Sequence, residues 1–189
     1  MDKSKPLTTQ VHYPSLKRKL KLATDKDSLY KAIVDTPFNT CQVETALLFL
    51  GILILLITHE ETNTIDMVAL SDTALAKGTT DMSVERFQEI KIPLDDSNNI
   101  VAQTIRTSKH HDVADWQYLF VPCLTPEQSR INQSGGGIGF SCVYPLNNPK
   151  TSGALIFNYY QFSGKIQPAQ RQFMREYTKL VSNSLANQK

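Results

Sequence analysis

The sequence predicts an α+β domain: a largely antiparallel central sheet of five or six strands, with helices packed mainly on one face. Three observations carry this reading. Strand-like segments come in pairs joined by short turns, as antiparallel neighbours do. Helical patterns gather towards the two ends of the chain instead of alternating with every strand. The most apolar run, ALLFLGILILLITHEE from Ala46 to Glu61, is shorter than the roughly 20 apolar residues a membrane-spanning helix needs. It also changes character at Gly51, from good helix formers to β-branched residues. A helix over Thr40–Leu50 and a buried central strand over Ile52–Thr58 are therefore expected.

Composition narrows the function classes. The chain has 189 residues, 41% of them hydrophobic, and a net charge of +2. That length suits one domain. A charge so near zero gives no field that selects nucleic acid or an acidic substrate. The basic cluster Lys17, Arg18, Lys19 and Lys21 reads as a solvated helix face, with Leu16, Leu20 and Ala23 turned inward. The three cysteines, Cys41, Cys123 and Cys142, are odd in number and widely spaced. With no secretory signal in view, they imply reduced thiols in a cytoplasm. No CxxC or CxxxH spacing supports structural zinc.

Taken in order, residues 1–14 are polar, with Pro6 and Pro14, and read as a flexible arm; 15–189 reads as a single domain. A helix starts at Ser15. A second, SLYKAIVD, is capped by Asp25 or Asp27 and stopped by Pro37. After the apolar strand, His59–Thr64 is a turn and Ile65–Ser71 the returning strand. DTALAKGTTDMS reads as a polar connection and FQEIKIPL as a further strand. Ser97 is placed to cap a short helix, NNIVAQTIR, with Val101 and Ile105 on one face. Lys109–Ser134 is long and irregular. IGFSCVYPL and GALIFNYYQF pair across NNPKTS. The closing helix carries Phe173, Tyr177, Leu180 and Val181 at helical spacing, with Pro168 in its first turn.

Candidate site residues follow from the irregular segment. Asp115–Ser134 is composed as a lid: long, proline-bearing and ending in SGGG. Within it, Trp116 and Phe120 are able to cover an apolar ligand, and Asp115 to fix one polar group. Phe140, Cys142 and Tyr144 form the floor if their strand face lies beneath the lid. The opposite register puts Ser141 and Val143 there, and alternation alone does not choose. His110, His111, Asp112 and Asp115 contain metal-ligand chemistry, but neighbours in sequence point in different directions, so they read as a polar loop. SGGGIG lacks the lysine and following helix of a phosphate loop. No Ser or Cys stands at motif spacing from a His and an acid, so no enzyme is expected.

Element order and these motifs resemble the GAF domains, PAS-like regulatory modules, over roughly Asp27 to Asn187. ILILLITHEETNTIDMVAL is similar to the family's first hairpin. IKIPLDDSNNIVAQTIRTSKHHDVADW resembles its strand, short helix and aspartate segment, with Asp115 in the aspartate position. GIGFSCVYPL and GALIFNYYQF resemble its last two strands. Departures count against some branches. Tyr159 follows Asn158 where cyclic-nucleotide binders carry lysine. Leu124 follows Cys123 and Val143 follows Cys142, where bilin carriers commonly place histidine. A branch reducing free methionine sulfoxide has a cysteine before the short helix, where this chain has Asp96-Ser97-Asn98-Asn99.

The resemblance implies a stand-alone, cytoplasmic, small-molecule-sensing or regulatory binding domain, signalling through helix packing. The ligand is an unidentified small molecule, and no cofactor is specified. The partners expected are a second copy, through Ser15–Ala23 and Pro168–Asn187, and a separate output protein; nucleic acid and membrane are not expected. The alternatives are a structural dimerisation module with no ligand and, third, a thiol-based free methionine sulfoxide reductase.

Overall fold

The computed structural model describes residues 13–40, 47, 49–160 and 166–187. Its six strands are β1 (Leu50–His59), β2 (Thr64–Leu70), β3 (Lys91–Pro93), β4 (His111–Val113), β5 (Phe140–Leu146) and β6 (Gly153–Tyr159). They form one sheet in the order β3-β2-β1-β6-β5-β4, and every neighbouring pair is antiparallel. The helices are α1 (Tyr13–Lys21), α2 (Lys26–Thr40), α3 (Ala74–Met82), α4 (Ile100–Thr107), α5 (Gln117–Phe120), α6 (Pro126–Gly135) and α7 (Pro168–Ala186). The fold is α+β, and no described helix is long and apolar enough to cross a membrane.

The apolar run is explained by its place. β1 lies between β2 and β6, and Ile52 to Leu56 are fully buried. A strand covered on both faces has no position for a polar residue to reach water. Its side chains alternate between two cores. Leu53, Leu55 and Ile57 meet α1, α2 and α7. Ile52, Ile54 and Leu56 meet residues of α3, α4 and α5. The two longest helices thus share one face with α1, as expected, while shorter helices cover the opposite face completely enough to make the cover two-sided.

Several local expectations need correction. Pro37 does not stop α2, which runs on to Thr40. Proline cannot donate to the carbonyl four residues back, and the Tyr177 hydroxyl of α7 donates to that Ile33 oxygen instead, at 2.6 Å. The start of α2 is capped by Asp25: Ser28 N–H donates to its Oδ1 at 2.8 Å, and Asp25 N–H donates to Ser28 Oγ at 3.2 Å. Gly51 lies inside β1, at a register shift against β6; the left-handed turn falls on Phe49, at φ 67. The helix expected over Thr40–Leu50 lies largely outside the described residues, as do residues 1–12 of the expected arm; Tyr13 and Pro14 already belong to α1.

The segment read as a polar connection is α3. Thr73 caps it, its Oγ1 accepting from Ala76 N–H at 3.1 Å. Its low-propensity Gly78 is required by packing: a Cβ there would come within 2.5 Å of the Gly135 carbonyl oxygen, and one on Gly135 within 2.7 Å of that of Gly78. FQEIKIPL divides into a 3-10 turn, Phe87–Glu89, and the short β3. Asn99, not Ser97, caps α4, accepting from Val101 and Ala102 N–H at 2.8 and 3.1 Å.

Candidate functional site

The segment 115–134 is not an irregular lid. It is α5, a short turn and α6, and it is closely tied down. Thr125 caps α6 by accepting from Gln128 N–H at 3.2 Å, while Gln128 Oε1 accepts from Thr125 N–H at 2.8 Å. This reciprocal arrangement satisfies two amides at a helix start. Asp115 accepts from Gln117 N–H at 3.0 Å, and from Arg130 Nε and Nη2 at 3.1 and 3.0 Å. Its carboxylate therefore holds α5 to α6. From the other side, Asn99 Nδ2 donates to the Leu119 and Val121 carbonyls at 2.8 and 2.7 Å, fixing α5 to the start of α4.

Trp116 lies beneath these helices and is fully buried. Its amide donates to Gln133 Oε1 at 3.0 Å, and its indole Nε1 donates to Ser141 Oγ at 2.8 Å. Ser141 donates onward to Asn158 Oδ1 at 2.6 Å, and Asn158 Nδ2 to the Ile52 carbonyl at 3.3 Å. A chain of hydrogen bonds thus crosses β5, β6 and β1 under the ring. Phe120 meets Trp116 edge-on at 5.4 Å, and Phe87 meets Phe120 edge-on at 5.9 Å. Such aromatic packing fills the space over the sheet. Of the five surface clefts described, none is lined by Trp116 or Phe120.

The six candidate residues do not form one site. Trp116 and Phe120 share the face covered by short helices, with Asp115 at its rim. Phe140, Cys142 and Tyr144 point to the opposite core, among Phe157, Phe173 and Tyr177. The register beneath Trp116 is the other one: Val143 packs in that core, and Ser141 bonds the indole. Ser141 and Asn158 are the site residues the candidate set lacked. Their signal was present as single polar residues within the apolar strands FSCVY and LIFNYY.

The His-rich stretch disperses by alternation, as neighbouring residues on a strand must. On β4, His111 Nδ1 lies 2.8 Å from Thr104 Oγ1 of α4. Asp112 turns the opposite way and pairs with Arg171 of α7 at 2.7 Å. The His110 ring stacks on Tyr144, with centroids 5.1 Å apart. No group of three His, Cys, Asp or Glu placed to hold a metal occurs among the described residues.

The described thiols lie on opposite sides of the sheet. Cys142 is fully buried in the α7-side core, where Arg171 Nη1 approaches its sulfur at 3.7 Å. Burial first, and then the Asp112 charge, push its pKa far up. Cys123 packs on the other core and donates to the Lys91 carbonyl at 3.1 Å; burial raises it as well. Neither is an activated thiolate, and the sheet separates them. Cys41 lies outside the described residues.

With this geometry in view, comparison with solved structures defines the class. The chain has a GAF-like fold. It is similar to residues 122 to 287 of a methyl-accepting chemotaxis protein, with 9% identity, 90% of this chain and 94% of that one covered, and a TM-score of 0.60. It is similar to the GAF domain of an Acinetobacter phosphoenolpyruvate-protein phosphotransferase, with 10% identity, 92% of each chain covered and a TM-score of 0.59. It is also similar to fRMsr of Staphylococcus aureus in its reduced form, with 11% identity, coverage of 94% and 97%, and a TM-score of 0.55. No protein-family model matches the sequence, and comparison with curated proteins finds no match.

Proposed function

We propose that this chain is a regulatory GAF-like module that acts through protein contacts as a cytoplasmic homodimer, with its sheet-side chamber closed by its own side chains. The carrying observation is Trp116, fully buried and bonded to Ser141 where a chamber ligand would lie. The domain takes in 15–189 together with Tyr13 and Pro14 at the start of α1, and its signal passes through the terminal helices to the second copy and to a separate output protein. Support for that route is the groove between α1 and α7, lined by Tyr13, Pro14, Lys17, Glu176, Lys179 and Leu180. Phe173, Tyr177 and Val181 are spent on the protein's own core, and Leu180, half-buried at the edge of that core, is the part of the α7 stripe that keeps surface for a partner. The separated, unactivated Cys123 and Cys142 speak against the reductase reading.

Sedimentation of the intact chain at micromolar concentration is the test. About twice the monomer mass is expected, reverting towards monomer in Leu180→Glu. A monomer at all accessible concentrations overturns the dimer.

One observation favours a sensor as the second reading. The Thr79 and Ser129 hydroxyls, on α3 and α6, are buried without a hydrogen-bond partner. Buried hydroxyls ordinarily find one, so a small polar molecule admitted between these helices would satisfy them. Thermal stabilisation by a member of a small-molecule panel, abolished in Thr79→Val, is the outcome that reading requires.

A further inference from the structure

On the α7 side of the sheet, an open cleft of about 460 Å³ runs between α7, the end of β5 and the turn from α4 into β4. Small-molecule sites fall in this size range. Its lining includes His110, Tyr144, Arg175, Lys179, Ser182 and Asn183, and no Asp or Glu. Arg175 and Lys179 stand four residues apart on α7, hence on one face about 6 Å apart. Neither makes an ion pair among the described residues. Of the nearby acids, Asp112 is held by Arg171, one turn earlier on α7, and Glu176 lies outside the cleft, facing the groove with Tyr13 and Pro14 that Lys179 also borders. His110 is kept at the mouth by stacking on Tyr144. The Ser182 hydroxyl makes no hydrogen bond to a described residue, and the Asn183 side-chain amide is likewise open.

From this arrangement we infer that the cleft binds the phosphate group of a small molecule, either free phosphate or a phosphate monoester. The chemistry is matched in charge and number. Two cations one helical turn apart offset a dianion. The guanidinium fork of Arg175, the ammonium of Lys179, the Ser182 hydroxyl and the Asn183 amide supply donors to the several oxygens of a tetrahedral group. A carboxylate presents only two oxygens and one charge, and leaves part of this set unused. The bound group would bridge α7 to the Ser108–His110 turn, on the far side of the sheet from the Trp116 chamber. The cleft shares Lys179 with the α1–α7 groove, but sedimentation reads the dimer and the Arg175 titration reads the phosphate site, so either can fail alone.

The test is a titration of the ¹⁵N-labelled full chain with inorganic phosphate and, separately, phenyl phosphate, at ionic strength held constant with sodium chloride. Saturable amide shifts are expected, confined to Ser108–His110 and Arg175–Asn183. Arg175→Gln should weaken binding at least about tenfold, the usual loss for one hydrogen bond to a charged group. Arg175→Lys should weaken it less, and Glu176→Gln should not weaken it. Arg175 is exposed, so the variants should retain the wild-type amide spectrum elsewhere. Whichever ligand binds more tightly names the source of the phosphate. Shifts that never saturate, or an affinity unchanged in Arg175→Gln, overturn the inference.

Discussion

The same six strands support two faces of different construction. On one, the long helices α2 and α7, joined by α1, lay apolar stripes across the sheet. Phe157, Phe173 and Tyr177 form a run of ring contacts at 6.1 and 5.3 Å. On the other, the short helices α3, α4, α5 and α6 are held by caps, side-chain-to-backbone bonds and a glycine-to-glycine contact, over a polar chain buried beneath Trp116. The first face rests mainly on hydrophobic area, which is tolerant of detail. The second depends on individual hydrogen bonds in a low-dielectric interior, where losing one partner strands the next.

The largest expected effect tests that dependence. Trp116→Ala removes a fully buried ring and leaves Ser141 without its donor. It should destabilise the protein by about 3–5 kcal/mol, the range for large-to-small core changes, read as a shift in urea midpoint with unchanged slope. A loss under about 1 kcal/mol would mean that the short-helix face is loosely filled, and would revive the chamber as a ligand site.

A smaller effect probes the long-helix face at its one backbone defect. Tyr177→Phe should cost about 1–2 kcal/mol, because the Ile33 carbonyl opposite Pro37 loses its donor. Pro37→Ala restores an N–H at that position. In the Pro37→Ala background the same Tyr177 change should cost measurably less, so the double variant should lose less stability than the two single variants summed. Additivity would show that the hydroxyl does not repair the break.

The smallest effect lies on the seam between the faces. Burial opposes ionisation of Asp112, but the Arg171 hydrogen bond and charge outweigh it and hold the carboxyl below its ordinary value. A depressed carboxyl pKa stabilises the folded state above the unfolded-state value, near pH 4, and that contribution fades as pH falls through the lower folded-state pKa. Asp112→Asn should flatten the acid limb of the stability curve in that window. About a third of the Asp112 side chain is exposed, so the difference at neutral pH should not exceed about 1 kcal/mol. Equal acid limbs for the two proteins would remove the pair from any account of stability.

The sequence was most readable where burial imposes a period. β1, the β1–β2 and β5–β6 hairpins and α7 stand where alternation and helical spacing put them, because covered faces admit few residue types. α3 was hidden because Gly78 and its threonines are poor helix formers; the close approach of Gly135, more than fifty positions away, gives them their use. α5 and α6 were hidden by proline and glycine, which read as loop but serve here at helix ends: Pro126 opens α6, and Gly135 and Gly136 close it. The division of the candidate site between faces was set by register. One residue of offset exchanges Cys142 for Ser141, and only the polar identity of Ser141 and Asn158 hinted which way the strand faced.

Both margins of the sheet are narrow. β3 and β4 are three residues each, and they present Lys91 and Pro93 at one rim and His111 and Asp112 at the other. A proline has no amide to offer, and charged or titratable side chains make a poor seam for an incoming strand. Each rim therefore resists growth into a continuous intermolecular sheet, which keeps the very apolar β1 and β6 away from fibril-like stacking. The proposed association of two copies would then fall to side-chain surfaces on the helices, where a change of a single residue can adjust it.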